Sequence, residues 1–260
     1  RELKIEAALE KVRAASSAMV KTEELSWVVS VMYKQFELLK DNQVVGFELI
    51  LCDEAKGELQ FWSSSLSQKN LPECYTIQKA SHPFFKKQWN AWKAKKDRLV
   101  ITLDETRYKE FCRFISSQTD FKKFPNHVKT FIRSRKKDVF THAWLKYGLL
   151  EAVADEALSD EGFSLLRRFA IVFEQTYTRF LDLQKAEAQA REAEIQLALE
   201  RIRARTMAMH KSEELGEVSE TLYAQLQNLG ITQFINCGYL RVDEENKIQS
   251  GWASMPGDKP

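Results

Sequence analysis

The sequence predicts an α+β fold: an antiparallel sheet flanked by helices, followed by a long connecting helix and a second, incomplete copy of the same domain. Three observations carry this. A shift of 190 residues, without gaps, aligns the first stretch of the chain with its last. Apolar residues alternate at strand spacing in two hairpin-like pairs, with helical periodicity before, between and after them. Finally, residues 163–209 contain neither proline nor glycine.

The recurrence is dense. Arg1, Glu2, Ile5, Ala8, Leu9, Glu10, Arg13 and Ala14 return as Arg191, Glu192, Ile195, Ala198, Leu199, Glu200, Arg203 and Ala204. Asp53, Glu54, Trp62 and Ser64 return as Asp243, Glu244, Trp252 and Ser254, so the register survives through two predicted strands. A period this long exceeds the roughly 20–50 residues of a solenoid unit, so each copy is a domain with its connecting helix. The expected boundaries are a linker helix at 1–16, a first domain at 17–178, a connecting helix at 179–206 and the opening part of a second domain at 207–260.

Ile5, Leu9, Val12 and Met19 recur at coiled-coil-like spacing. Thr22 is the expected N-cap of a following amphipathic helix, whose Leu25, Val28, Val29, Met32, Phe36 and Leu39 face a core and which ends near Asn42. Residues 44–52 and 58–64 read as a strand pair turning at Gly57. His82-Pro83 opens a helix to about Lys96, with Phe85, Trp89 and Trp92 on one face. A short strand at 99–103 precedes helices at 106–117 and 125–135, the latter entered by Pro125. Residues 138–146 and 149–154 form a second hairpin at Tyr147-Gly148, and Ser159-Asp160-Glu161 caps the closing helix.

Several function classes are excluded by composition and spacing. Net charge is +2, 44% of residues are hydrophobic, and no run approaches the ~18 apolar residues of a membrane span; the expected location is cytoplasmic. Cys52, Cys74, Cys112 and Cys237 show no CxxC spacing. His127 and His142, with Cys74 and Cys112, are the candidates for metal or redox sensing, and a satisfied or surface histidine is the simpler role. No Ser-His-Asp order, glycine-rich phosphate loop, HExxH or paired catalytic carboxylate is legible, so no catalytic residue, metal or cofactor is assigned. Asp155-Glu156 and Asp160-Glu161 read as turn and cap residues.

Charge is unevenly spread. Residues 83–137 hold sixteen Lys and Arg against five Asp and Glu, whereas residues 138–200 hold six against twelve. Basic residues interleaved with tryptophan fit single-stranded nucleic acid in principle, but aromatic residues at helical spacing are core, and nucleic acid is not expected. An anionic small molecule held by Lys86, Lys87, Arg133 and Arg135 is the binding expectation.

The entry helix from Ser212-Glu213-Glu214-Leu215 to Leu229, the strand pair, the late Tyr147-Gly148-Leu149-Leu150 hairpin and the closing helix after Leu158-Ser159-Asp160-Glu161 together resemble a GAF domain, a GAF/PAS-like architecture. The segment Leu199-Glu200-Arg201-Ile202-Arg203-Ala204-Arg205-Thr206-Met207-Ala208-Met209 is similar to repeated GAF-like inputs ahead of bacterial histidine kinase cores. The resemblance covers about residues 17–178 and 207–260. It implies a small-molecule sensor and dimerisation region of a signal-transduction protein with a downstream output domain. A histidine kinase is the first expectation, a nucleotide cyclase or phosphatase another. Two departures limit it: there is no NKFDE-type constellation, and Cys112 is followed by Arg113 where a bilin-attaching site would show histidine. Neither cyclic nucleotide nor bilin carries over.

A continuous helix over residues 163–209 would run some 70 Å at ~1.5 Å per residue. Phe169, Phe173, Phe180 and Leu183 hold one heptad phase and Ile195, Leu199 and Ile202 another. These seven are the expected interface of a parallel homodimer, through which ligand binding would be transmitted. The competing expectation is a structural spacer that dimerises and binds nothing.

Overall fold

The structure is a computed structural model and describes residues 1–39, 44–65, 74–123 and 126–254. It divides into two compact units, Arg1–Leu181 and Asp182–Pro260.

The first unit opens with α1 (Glu2–Ser17) and, after a 3-10 turn at Thr22–Glu24, α2 (Leu25–Leu38). The cap of this entry is Glu24 rather than the expected Thr22. Its carboxylate accepts the Val20 N–H at 2.6 Å and the Lys21 N–H at 3.0 Å, satisfying donors that the helix start leaves open. Asn42 and Pro125 fall outside the described residues.

Strands β1 (Val44–Asp53) and β2 (Glu58–Ser65) pair antiparallel across the Gly57 turn, where φ is +68°. A strand absent from the sequence reading, β3 (Tyr75–Gln78), adds to the outer edge of β2. Its four residues are too few to show a period. Helix α3 (Pro83–Lys93) is capped by His82, whose Nδ1 accepts the Phe84 N–H at 3.2 Å. Strand β4 (Arg98–Leu103) leads to α4 (Glu105–Gln118), capped by Asp104 on the Arg107 N–H, and α5 (Asn126–Ser134) follows. The late hairpin is β5 (Asp138–Leu145) and β6 (Gly148–Ala154), and α6 (Asp160–Met207) begins directly after it.

The six strands form one antiparallel sheet in the order β3-β2-β1-β6-β5-β4. The first and last hairpins therefore meet in the middle, and β1 and β6 are central. Alternation along these strands divides the interior into two cores. Phe47, Leu49, Leu51, Leu150 and Ala152 face α1, α2 and the first part of α6, while Ile50, Phe61, Leu149, Val153 and Phe140 face α3 and α4. The helix expected as a linker, residues 1–16, is part of the first core: it packs on α2 and buries Leu9 and Val12.

Phe169, Phe173 and Phe180, expected at a dimer interface, are instead buried in this core, where Phe169 meets Phe36 edge-on and Phe173 stacks on Tyr177. A helix lying on a sheet needs the same recurring apolar stripe as a helix lying on its twin, so heptad spacing alone could not separate the two.

The second unit holds the remainder of α6, a 3-10 turn at Ser212–Glu214, α7 (Leu215–Asn228) and the hairpin β7 (Cys237–Asp243) with β8 (Ile248–Ser254). Its elements reproduce those of the first unit at the 190-residue shift: α2 and α7 begin at Leu25 and Leu215, and β1 and β7 end at Asp53 and Asp243. Even the cap recurs, with Glu214 accepting the His210 N–H at 3.3 Å. Ser219 ties α7 to β8 through the Trp252 carbonyl at 3.0 Å.

Candidate binding cavity

Between the sheet and α3, α4 and α5 lies a cavity of about 110 Å³. An apolar cavity of about 150 Å³ is enough to hold benzene, so this smaller space suits one small ring at most. Its walls are largely aromatic, among them Phe61, Phe84, Phe85, Phe111, Phe121 and Phe140. These rings pack edge-on or tilted on one another, for example Phe84 on Phe140 at 4.8 Å and Phe61 on Phe85 at 5.6 Å. Such a wall is stiff and presents ring faces to the space.

The polar lining is acidic. Glu48 of β1 and Glu151 of β6 occupy directly opposed register positions on the cavity side of the sheet. Like charges placed so are unfavourable. Glu48 accepts from the Ser63 hydroxyl at 2.6 Å and the Tyr75 hydroxyl at 3.3 Å. Burial, reinforced by the charge of Glu151, pushes its carboxyl up to about 8 despite those two donors. The Tyr75 phenol, pressed against Phe61 in a stack at 4.9 Å, is likewise held well above its usual value, by burial and by Glu48.

Glu151 is only 1% exposed and faces a second set of partners. His142 Nε2 of β5 lies 2.5 Å from Glu151 Oε2, and His142 Nδ1 lies 3.1 Å from the Leu99 carbonyl. A carbonyl can only accept, so Nδ1 carries a proton, and the Nε2–Oε2 contact must hold another between its two atoms. Gln88 of α3 donates to Glu151 Oε2 at 2.8 Å, lies 3.0 Å from His142 Nε2 through the same nitrogen, and leaves its own buried Oε1 without a partner among the described residues.

At the other end, Arg135 donates through Nε to Asp138 at 2.5 Å and through Nη2 to Asp155 at 2.8 Å. Tyr108 bonds the Ile132 carbonyl at 2.9 Å, which fixes α4 to the end of α5. Burial raises the Asp138 carboxyl, and Arg135 opposes that rise.

Of the four basic residues expected to hold an anion, the structure brings only Arg135 to the cavity, already engaged by two carboxylates. Lys86 and Lys87 are exposed on α3, because that helix turns Phe84, Phe85, Gln88 and Trp89 inward. Arg133 lines an open groove between α4 and the end of α5 together with Cys112 and Lys136. Of the remaining expected interface residues, Leu183 is 55% and Leu199 44% exposed, and Ile195 and Ile202 are half-buried. The side chain of His127 lies outside the described residues. Among the described residues no group of three His, Cys, Asp or Glu side chains is placed to hold a metal ion, and no helix is long and apolar enough to cross a membrane.

The sequence reading passed over Glu48, Glu151 and Gln88. A signal was present: Glu48 and Glu151 are each the lone charge inside an apolar strand run, Val44 to Cys52 and Gly148 to Ala154. A charge in such a run either marks a solvated face or is buried, and only burial with partners is tolerated.

The fold and cavity define an α+β module with a small, acid-lined, aromatic pocket between its sheet and its inserted helices. Residues 63–233 match a protein family described as a repeat of unknown function, DUF7951, and the chain belongs to that family. No curated protein matches the sequence. Among solved structures, the chain is similar to the GAF domain of a phosphoenolpyruvate-protein phosphotransferase from Acinetobacter, at 11% identity and a TM-score of 0.40 over 66% of this chain and 92% of that one. It is also similar to residues 122 to 287 of a methyl-accepting chemotaxis protein, at 14% identity and a TM-score of 0.39 over 67% of this chain and 98% of that one. A bacteriophytochrome of the photosynthetic bacterium R. palustris matches at 10% identity and a TM-score of 0.45 over 85% of this chain and 46% of that one.

Proposed function

We propose that residues 1–181 are a non-catalytic, small-molecule-binding regulatory module of a signal-transduction protein, and that the cavity between the sheet and α3, α4 and α5 is where the signal molecule sits. The observation that carries this reading is the opposed pair Glu48 and Glu151 on the cavity wall. Burying two carboxylates side by side costs stability, and well-packed apolar residues of similar volume are often more stable in such places. A domain that only spaced two helices would gain nothing from them.

The same reading has α6 couple this module to an output domain, with a histidine kinase the first candidate and a nucleotide cyclase or phosphatase the next. A parallel homodimer through Leu183, Ile195, Leu199 and Ile202 would supply that coupling. Phe169, Phe173 and Phe180 then act indirectly, by fixing α6 to the sheet whose other face forms the cavity. The spacer reading draws on the cavity's size, since pockets for drug-sized ligands run to ~300–1,000 Å³.

Native mass spectrometry of the chain purified from cells tests the proposal. A folded species carrying a stoichiometric small-molecule adduct, lost when Phe84→Trp fills the cavity, is the expected result. A clean mass, together with a Phe84→Trp variant of unchanged or higher stability, would favour the spacer.

A further inference from the structure

The charge of the cavity selects its ligand. Among the described residues three carboxylates line it, those of Glu48, Asp138 and Glu151, against one cationic side chain, Arg135. Arg135 is matched by Asp138 and Asp155. Glu151 is engaged by His142 Nε2 at 2.5 Å and by the Gln88 amide at 2.8 Å. What remains is Glu48, half-buried and open to the cavity, with two hydroxyl donors and, among the described residues, no cationic partner.

The aromatic wall points the same way. Ring faces carry negative charge density and attract an ammonium or guanidinium-type cation within about 6 Å. An anion would meet Glu48 and Glu151 together with these faces, and would find no uncommitted positive group among the lining residues.

Resting on the reading of this cavity as a ligand site, we propose that it takes a small organic monocation, a primary ammonium or amidinium on a ring-sized apolar body, with the cationic head on Glu48 and the body among Phe61, Phe85 and Phe111. No covalent chemistry is involved. The cation replaces the proton that Glu48 holds in the empty site, so binding releases a proton to solvent. The groups that face Glu48 are Glu151 from β6, Ser63 from β2 and Tyr75 from β3, with His142 of β5 behind Glu151 and the Asp138–Arg135 pair at the far end. None of them supplies a competing cation to Glu48 itself.

Four probes of one size decide it: benzylammonium, benzamidinium, benzyl alcohol and benzoate, titrated calorimetrically into the whole chain at pH 7 in two buffers of different ionisation enthalpy. The expected result is saturable binding of one or both cations, at least tenfold tighter than benzyl alcohol, no binding of benzoate, and buffer-dependent heats that report proton release. Glu48→Gln, which keeps the shape of the protonated acid but cannot ionise, should abolish the preference for cations with unchanged circular dichroism. Benzyl alcohol or benzoate binding as well as the cations would overturn the charge assignment and leave the cavity as a ligand site. Binding of none of the four, with Phe84→Trp folding normally, would overturn both this proposal and the reading on which it rests.

Discussion

Glu48 and Glu151 stand directly opposite each other on the two central strands of the sheet, both on the face that looks into the cavity. Antiparallel pairing of the first and last hairpins creates this apposition, since the residues are far apart in the chain.

The pair makes stability depend on pH. In the folded protein burial and Glu151 push the Glu48 carboxyl up to about 8, against an ordinary glutamate value of 4.5. The folded state therefore binds more protons than the unfolded chain between these values, and stability falls as pH rises through that window. Glu48→Gln removes the proton that must be held. Chemical denaturation should find the variant gaining on the parent by roughly 3 kcal/mol between pH 5 and pH 8. Equal differences at both values would show that Glu48 is not held protonated.

Arg135 should be a stability residue rather than an anion-binding one. It pairs with Asp138, which is buried, and removing one partner of such a pair costs about 3 kcal/mol because a lone charge is left inside. Arg135→Met should show that loss in a urea titration, and the double variant Arg135→Met with Asp138→Leu should recover most of it. Failure of the second change to rescue the first would mean that Arg135 acts through Asp155 alone.

Gly148 admits no side chain. A Cβ there would stand 1.8 Å from the Ile50 carbonyl oxygen, where β6 starts against β1. Gly148→Ala should lower stability by about 3 kcal/mol, at the upper end for overpacking, since the obstacle is backbone in the middle of the sheet. A thermal midpoint within a degree or two of the parent would contradict this placement of the strands.

The two kinds of apolar residue on α6 should behave differently. Phe173→Ala removes a fully buried ring and should cost about 3–5 kcal/mol by denaturant unfolding. Leu183→Asp and Leu199→Asp, each at an exposed position, should leave unfolding within about 0.5 kcal/mol of the parent while weakening self-association in sedimentation. Sedimentation identical to the parent in both leucine variants would remove these residues from any dimer interface.

The order of helices and strands, the two hairpins and the 190-residue recurrence were legible in the sequence because each rests on local information: a period of 2 or 3.6, a glycine at Gly57, a proline-histidine helix start. The recurrence needed no folding argument at all, since identity at a fixed shift is a property of the string. Thr22 fits the composition of a cap, but it is the Glu24 carboxylate that caps this entry, reaching back to the Val20 and Lys21 N–H groups, a choice made by side-chain geometry.

Tertiary structure alone decided the rest. Phe169, Phe173 and Phe180 carry a stripe that suits a second helix or a sheet equally well, and the sheet formed by the chain's own hairpins took it. β3 exists because the edge of β2 offers hydrogen-bonding groups to an otherwise unremarkable tetrapeptide. The cavity and its acid pair arise where β1 meets β6 and three helices close over the join, a long-range pairing that no window of sequence contains. Glu48 and Glu151 stand as single charges in apolar runs of the sequence, but what they and His142 face was fixed only when the strands came together.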